Sequence, residues 1–235
     1  MIYNVINFII LFLVKIVSEK IIDISAARNR REKNSKEIKS KEKLIQKPEK
    51  KVYQLKISLN GSKPLIYRIV LVPNDIKLEK LQIIIKELMH WEDHHSHQFA
   101  TYSKINMNIY VDKDLEEESD EKKYTINDLC LKENDIFYYI YDLEDNWTHT
   151  IEIQKILPYD SSKIYPVCIE GARNAPPDDT GGILGYSVLL DILKDPNHEE
   201  YQDMVEFIGN DNFDSEYFDI NEINKKLAEI ELYKK

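Results

Sequence analysis

The chain has 235 residues, enough for one large domain or two small ones with a sizeable core, and its 43% hydrophobic and 31% charged content is that of a globular protein. Two cysteines, Cys130 and Cys168, argue against a disulfide scaffold and for a reducing, cytoplasmic compartment, and neither sits in a C-x-x-C pair that would mark structural zinc. The net charge of −10 is uneven: residues 1–51 hold 13 Lys/Arg against 6 Asp/Glu (+7), leaving 19 against 36 (−17) for residues 52–235. So acidic a body repels phosphate backbones, which makes it a poor sequence-independent nucleic-acid binder; the basic tail could still touch nucleic acid or an anionic membrane.

Residues 2–17 (IYNVINFIILFLVKIV) are strongly apolar but lack the positive flank that precedes a signal sequence, and they are slightly short for a membrane span. Two readings of residues 1–27 stay open: an extension outside the domain, or a membrane tether. The basic residues follow the run (Arg28, Arg30, Arg31, Lys33, Lys36), so a tether would leave the body on the cytoplasmic side. Residues 28–51 are rich in Lys, Glu, Ser and Asn and read as a solvated basic linker. The domain is expected over 52–235.

Val52 to Leu59 alternates, Asn60-Gly61 supplies turn chemistry, and Ile66 to Val72 is a second β-branched run, together a hairpin with a long loop through Pro64. Leu78, Leu81, Ile84, Ile85 and Leu88 recur at helical spacing and predict a helix over 76–90 that packs on the hairpin. Short strands are expected at Gln98–Ser103 and Ile105–Val111, a charged loop at Asp112–Lys123, and one helical turn at Thr125–Leu129 capped by Thr125. Ile136–Tyr141 and Thr148–Ile156 complete the sheet. Residues 166–185 (PVCIEGARNAPPDDTGGILG) read as loop throughout. Helices are expected at Tyr186–Leu193, at about His198–Ile208, and from Asp219 or Asn221 onward. The order predicts an α+β fold: a mixed, mainly antiparallel sheet built of hairpin, crossing helix and further strands, faintly β-grasp-like, followed by C-terminal helices.

Three segments carry polar chemistry. Trp91-Glu92-Asp93-His94-His95-Ser96-His97-Gln98-Phe99 fits W-x-x-x-H-L-H-x-F with Ser96 in place of Leu. Tyr141-Asp142-Leu143-Glu144-Asp145-Asn146-Trp147-Thr148-His149 fits Y-D-F-G-D-x-W-x-H with Leu143 in place of Phe and Glu144 in place of Gly. Cys168 to Gly182 fits C-x-x-G-x-x-x-C-P-P-E-D-x-G-G with Ala175 in place of the second cysteine and Asp178 in place of Glu. Together they resemble the plasmid pRiA4b ORF-3-like family, which includes transposon passenger-type proteins, over about residues 52–228. The resemblance implies an accessory protein associated with mobile elements. Ala175 removes any thiolate pair from that loop.

On a strand, His95 and His97 would face one side. With Asp142, Asp145 and His149 they could ligate a divalent metal as cofactor or supply acid–base chemistry; equally, they could form a buried polar network that fixes strand order. Asp178 and Asp179 could wrap a cation, and the amides of Gly181 and Gly182 could cradle an anion, although a rigid connector explains the same residues. Arg68 could pair with one of these acids or lie on the surface. The pattern therefore supports an interaction module whose His/Asp groove takes a protein partner or small ligand, with a small metal-dependent enzyme as the alternative.

Overall fold

The computed structural model describes residues 49–92, 95–102, 107–111, 120–209 and 213–232. The apolar run 2–17, nearly all of the 28–51 linker and most of the charged loop 112–123 lie outside the described residues. Lys50–Lys235 forms one compact unit.

Among the described residues, seven strands form one sheet: β1 (Lys51–Leu59), β2 (Tyr67–Pro73), β3 (His97–Tyr102), β4 (Met107–Val111), β5 (Ile136–Tyr141), β6 (Trp147–Pro158) and β7 (Val167–Ala172). Their spatial order is β4-β3-β5-β6-β1-β2-β7, and every pairing is antiparallel. The β-grasp likeness reaches as far as the hairpin and the crossing helix; the strands that follow continue the antiparallel pattern. Alternation explains the two faces. Leu55, Ile57 and Leu59 of β1 are fully buried, whereas Gln54, Lys56 and Ser58, which alternate with them, are half-exposed.

Helix α1 (Leu78–Met89) buries Leu78, Leu81, Ile84, Ile85 and Leu88 completely in the same core cluster as the inner sheet face. Each such side chain contributes roughly 1.5–3 kcal/mol of burial free energy. His90 closes the helix in the left-handed conformation (φ 58°), its amide bonded to the last-turn carbonyls. Helices α2 (Gly182–Leu193), α3 (Tyr201–Ile208) and α4 (Ile220–Ala228) follow the sheet. Asp219 caps α4 by accepting the Asn221 amide at 2.8 Å and the Glu222 amide at 3.2 Å. The turn at Ile126–Leu129 starts from Thr125 in a reciprocal capping box with Asp128, whose carboxylate reaches back to the Thr125 amide and hydroxyl, both at 2.7 Å.

Three local expectations need correction. Val167–Ala172 is not loop but an edge strand paired with β2. Its pattern is masked because it pairs on one side only, carries a register shift opposite Ile69/Val70, and is completed by a side chain. Asn224 of α4 accepts the Cys168 amide at 2.7 Å and donates to the Cys168 carbonyl at 2.9 Å. Helix α2 begins at Gly182 rather than Tyr186, using glycines that ordinarily signal a break. Helix α3 begins at Tyr201 rather than His198.

Candidate functional site

The β5–β6 hairpin is built to present carboxylates. Asp142 adopts φ 53° and Asn146 φ 58°, which Asp and Asn tolerate best among non-glycine residues. Asp142 Oδ1 accepts the amides of Glu144 (3.0 Å) and Asp145 (3.3 Å), closing the turn on itself. Its other oxygen, Oδ2, is left facing His95 Nδ1 at 3.4 Å.

The segment 176–182 is pinned against that hairpin from two sides. Trp91 Nε1 donates to the Pro176 carbonyl at 2.9 Å, and the Gly181 amide donates to Asp145 Oδ2 at 2.9 Å. Gly182 (φ 68°) admits no side chain, because a Cβ there would collide with the Asp145 carbonyl oxygen. The Gly181 amide is thus taken up from within the protein, by Asp145.

The docked loop brings Asp178 and Asp179 to His95. His95 Nε2 lies 3.0 Å from Asp179 Oδ1 and 3.9 Å from Asp178 Oδ1. The Tyr141 hydroxyl is shared between the Glu92 carbonyl (2.7 Å) and Asp178 Oδ2 (3.1 Å). Trp91 stacks on the Tyr141 ring at 4.9 Å between centroids and 15° between planes, and His95 meets the same ring edge-on. Burial pushes the Asp178 carboxyl above its ordinary value, with the Asp179 charge acting in the same direction and Tyr141 and His95 opposing. Three carboxylates around one imidazole leave an excess of negative charge, which a divalent cation would neutralise. His95, Asp178 and Asp179 each offer a ligand atom within 4.8 Å of the others.

The remaining candidates go elsewhere. His97, the first residue of β3, points into the core, where Nε2 lies 2.9 Å from Glu121 Oε2. The expected shared face with His95 does not form, since His95 precedes the strand and lies against Asp142 of the β5–β6 turn instead. His149 is fully buried between Trp91 and Tyr139 (centroids 5.3 and 5.7 Å). Burial lowers its pKa to about 4, only partly opposed by backbone groups of Tyr139 and Trp147, so it is a neutral core residue. Arg68 pairs with none of the candidate acids and is not on the surface. It is 1% exposed, with Nε donating to the Leu88 carbonyl (3.0 Å) and Nη1 to the carbonyls of Tyr67 and Ala172 (both 2.9 Å). Its guanidinium lies over the Phe218 ring, and burial brings its pKa down to about 10.

Of the five residues first grouped around a metal, the structure brings His95 and Asp142 together, ties Asp145 to the loop, and sends His97 and His149 into the core. Sequence reasoning missed Glu121, Trp91 Nε1 and the Tyr141 hydroxyl as partners. Glu121 sits in a run of Asp, Glu and Lys that offers no means of singling it out.

Comparison with known proteins agrees with this architecture. Residues 51–222 match the family model described as plasmid pRiA4b ORF-3-like protein. The chain is 27% identical over 183 residues to "Uncharacterized protein y4hQ" of Sinorhizobium fredii (strain NBRC 101917 / NGR234), covering 76% of this chain and 92% of that one. It is also similar to the crystal structure of "Protein of Unknown Function MM3350 from Methanosarcina mazei Go1", with 37% identity, a TM-score of 0.65, and coverage of 74% of this chain and 97% of the other. Among the described residues, no helix is long and apolar enough to cross a membrane.

Proposed function

The chain belongs to the plasmid pRiA4b ORF-3-like family, and from that premise we propose that it is an accessory binding module whose site takes a divalent cation at His95, Asp178 and Asp179. The observation that carries the reading is the convergence of these three donors from two segments distant in the chain, His95 from one and the Asp178-Asp179 pair from the other, with Asp142 behind His95. One imidazole nitrogen with two carboxylates suits zinc, manganese or iron. A carboxylate at the far nitrogen of a ligating histidine fixes its tautomer and orientation, which is the place Asp142 holds at Nδ1. Three protein donors leave coordination positions to an incoming ligand, so the cation would be the means by which the module holds a partner or small molecule. A metal-dependent enzyme built on the same cation is the second reading, favoured by those same open positions.

An association with mobile elements, a cytoplasmic location and the absence of nucleic-acid binding by residues 52–235 belong to the same proposal. The plasmid in the family's description, the unpaired cysteines and the −17 balance of the body support them.

Isothermal titration of the full chain with Mn2+ and Zn2+, beside His95→Ala and Asp179→Asn, tests the site. The expected result is one equivalent bound by the parent chain and affinity at least about tenfold weaker in each variant, with melting temperatures preserved in the absence of metal. No uptake at micromolar metal, or equal uptake by both variants, would overturn the reading.

A further inference from the structure

Helix α3 is amphipathic, yet none of its eight residues is buried. A helix this short does not hold itself in water and depends on packing along its apolar face. Against α2 that face closes only partly, leaving a cleft of about 340 Å³. Val188, Leu189 and Ile192 of α2 and Met204 and Phe207 of α3 line it. Val188 is 57% and Phe207 48% exposed, and Leu184, one turn before Val188, is 79% exposed. The charged groups lining the cleft are Asp179 and Glu200; no lysine or arginine contributes among the described residues. Lys194, at the end of α2, is already paired with Asp191 at 2.7 Å.

We infer that the cleft between α2 and α3 docks an amphipathic helix of a partner protein, one whose apolar anchors are flanked by lysine or arginine. Two helices that leave an apolar furrow between them form the receptor geometry of helix-in-groove recognition, in which side chains at i, i+3 or i+4 fill the furrow. Charge sets the partner's sign at two ranges. Locally, Glu200 stands at the apolar wall with no lysine or arginine lining the cleft among the described residues, while Asp179 is engaged by His95. At long range, the −17 balance of residues 52–235 draws a cationic segment in and turns an acidic one away. This goes beyond the cation reading and does not rest on it, because the apolar wall comes wholly from α2 and α3.

The test is fluorescence anisotropy of a labelled helical peptide of leucine and lysine against the full chain, in EDTA so that the cation site plays no part. A matched peptide with glutamate for lysine is the charge control. Val188→Gln and Phe207→Gln alter exposed side chains, and unchanged melting temperatures verify that both variants fold. The expected result is saturable binding of the lysine peptide, none of the glutamate peptide, and about tenfold weaker binding in each glutamine variant. Glu200→Gln should weaken binding severalfold at low salt. Several outcomes would overturn the inference: no binding, equal binding of the two peptides, or affinity unchanged by Val188→Gln and Phe207→Gln. So would a chain that sediments as a dimer and becomes a monomer in Val188→Gln, since a second copy would then be the occupant.

Discussion

Asp145 Oδ2 accepts the Gly181 amide at 2.9 Å and so joins two loops 36 residues apart in the chain. That bond, with the missing side chain at Gly182, holds Asp178 and Asp179 within reach of His95. Asp145→Ala removes the acceptor without touching the cation donors. It should cost about 1 kcal/mol in urea denaturation, the worth of one exposed charge-assisted bond, while weakening Mn2+ or Zn2+ binding about tenfold. Stability loss with full metal affinity would show that the loop is held in place by other contacts.

Trp91 offers a second, independent handle on the same loop. Trp91→Phe keeps an aromatic ring against Tyr141 but deletes the donor to the Pro176 carbonyl. The expected cost is about 1–2 kcal/mol, because a buried carbonyl loses its partner. Trp91→Ala, which also empties the ring's volume, should cost about 3–5 kcal/mol. Guanidinium unfolding of both variants measures the difference.

His149 should make the protein acid-sensitive in a defined window. Its folded pKa of about 4 lies below the value of about 6.5 expected when unfolded. As pH falls through about 6.5 the unfolded chain takes up a proton that the folded one refuses, so stability declines until pH reaches about 4. The loss amounts to about 3 kcal/mol. Subtracting the pH profile of a His149→Phe variant from that of the parent chain isolates this contribution from the carboxylates, and a flat difference between pH 4 and 6.5 would refute it.

Arg68 is placed to cap α1 from the sheet. Arg68→Met keeps an unbranched apolar stem but removes the guanidinium from over Phe218 and leaves the carbonyls of Leu88, Tyr67 and Ala172 without their donor. Destabilisation of about 2–3 kcal/mol is expected. Arg68→Lys should recover only part of it, since an ammonium cannot reproduce the planar fork that reaches three acceptors. Calorimetric melting of the two variants decides.

Much of the scaffold is legible from periodicity. The alternation of Leu55, Ile57 and Leu59 and the helical spacing from Leu78 to Leu88 predict β1 and α1 within a residue or two. β7 was hidden because its strand character comes from β2 on one side and Asn224 on the other, neither of which lies nearby in the chain. Thr125-Ile126-Asn127-Asp128 announces a capped turn, and the two ends cap each other as a capping box.

For the candidate site, the sequence alone singled out His95, Asp142, Asp178 and Asp179 as chemically loaded residues, and it assigned the chain to a family through three separated segments. Residue type and local spacing suffice for that, because turn-forming Asp, Gly and Pro and an unusual run of histidines are visible without a fold. Which of them meet was decided by tertiary structure. Strand pairing turns His97 inward to Glu121, and burial makes His149 a neutral core residue. The Asp145–Gly181 bond then swings the Asp178-Asp179 pair onto His95. A carboxylate can accept from any donor it reaches, and reach is set by register and by the volume that neighbouring side chains leave empty.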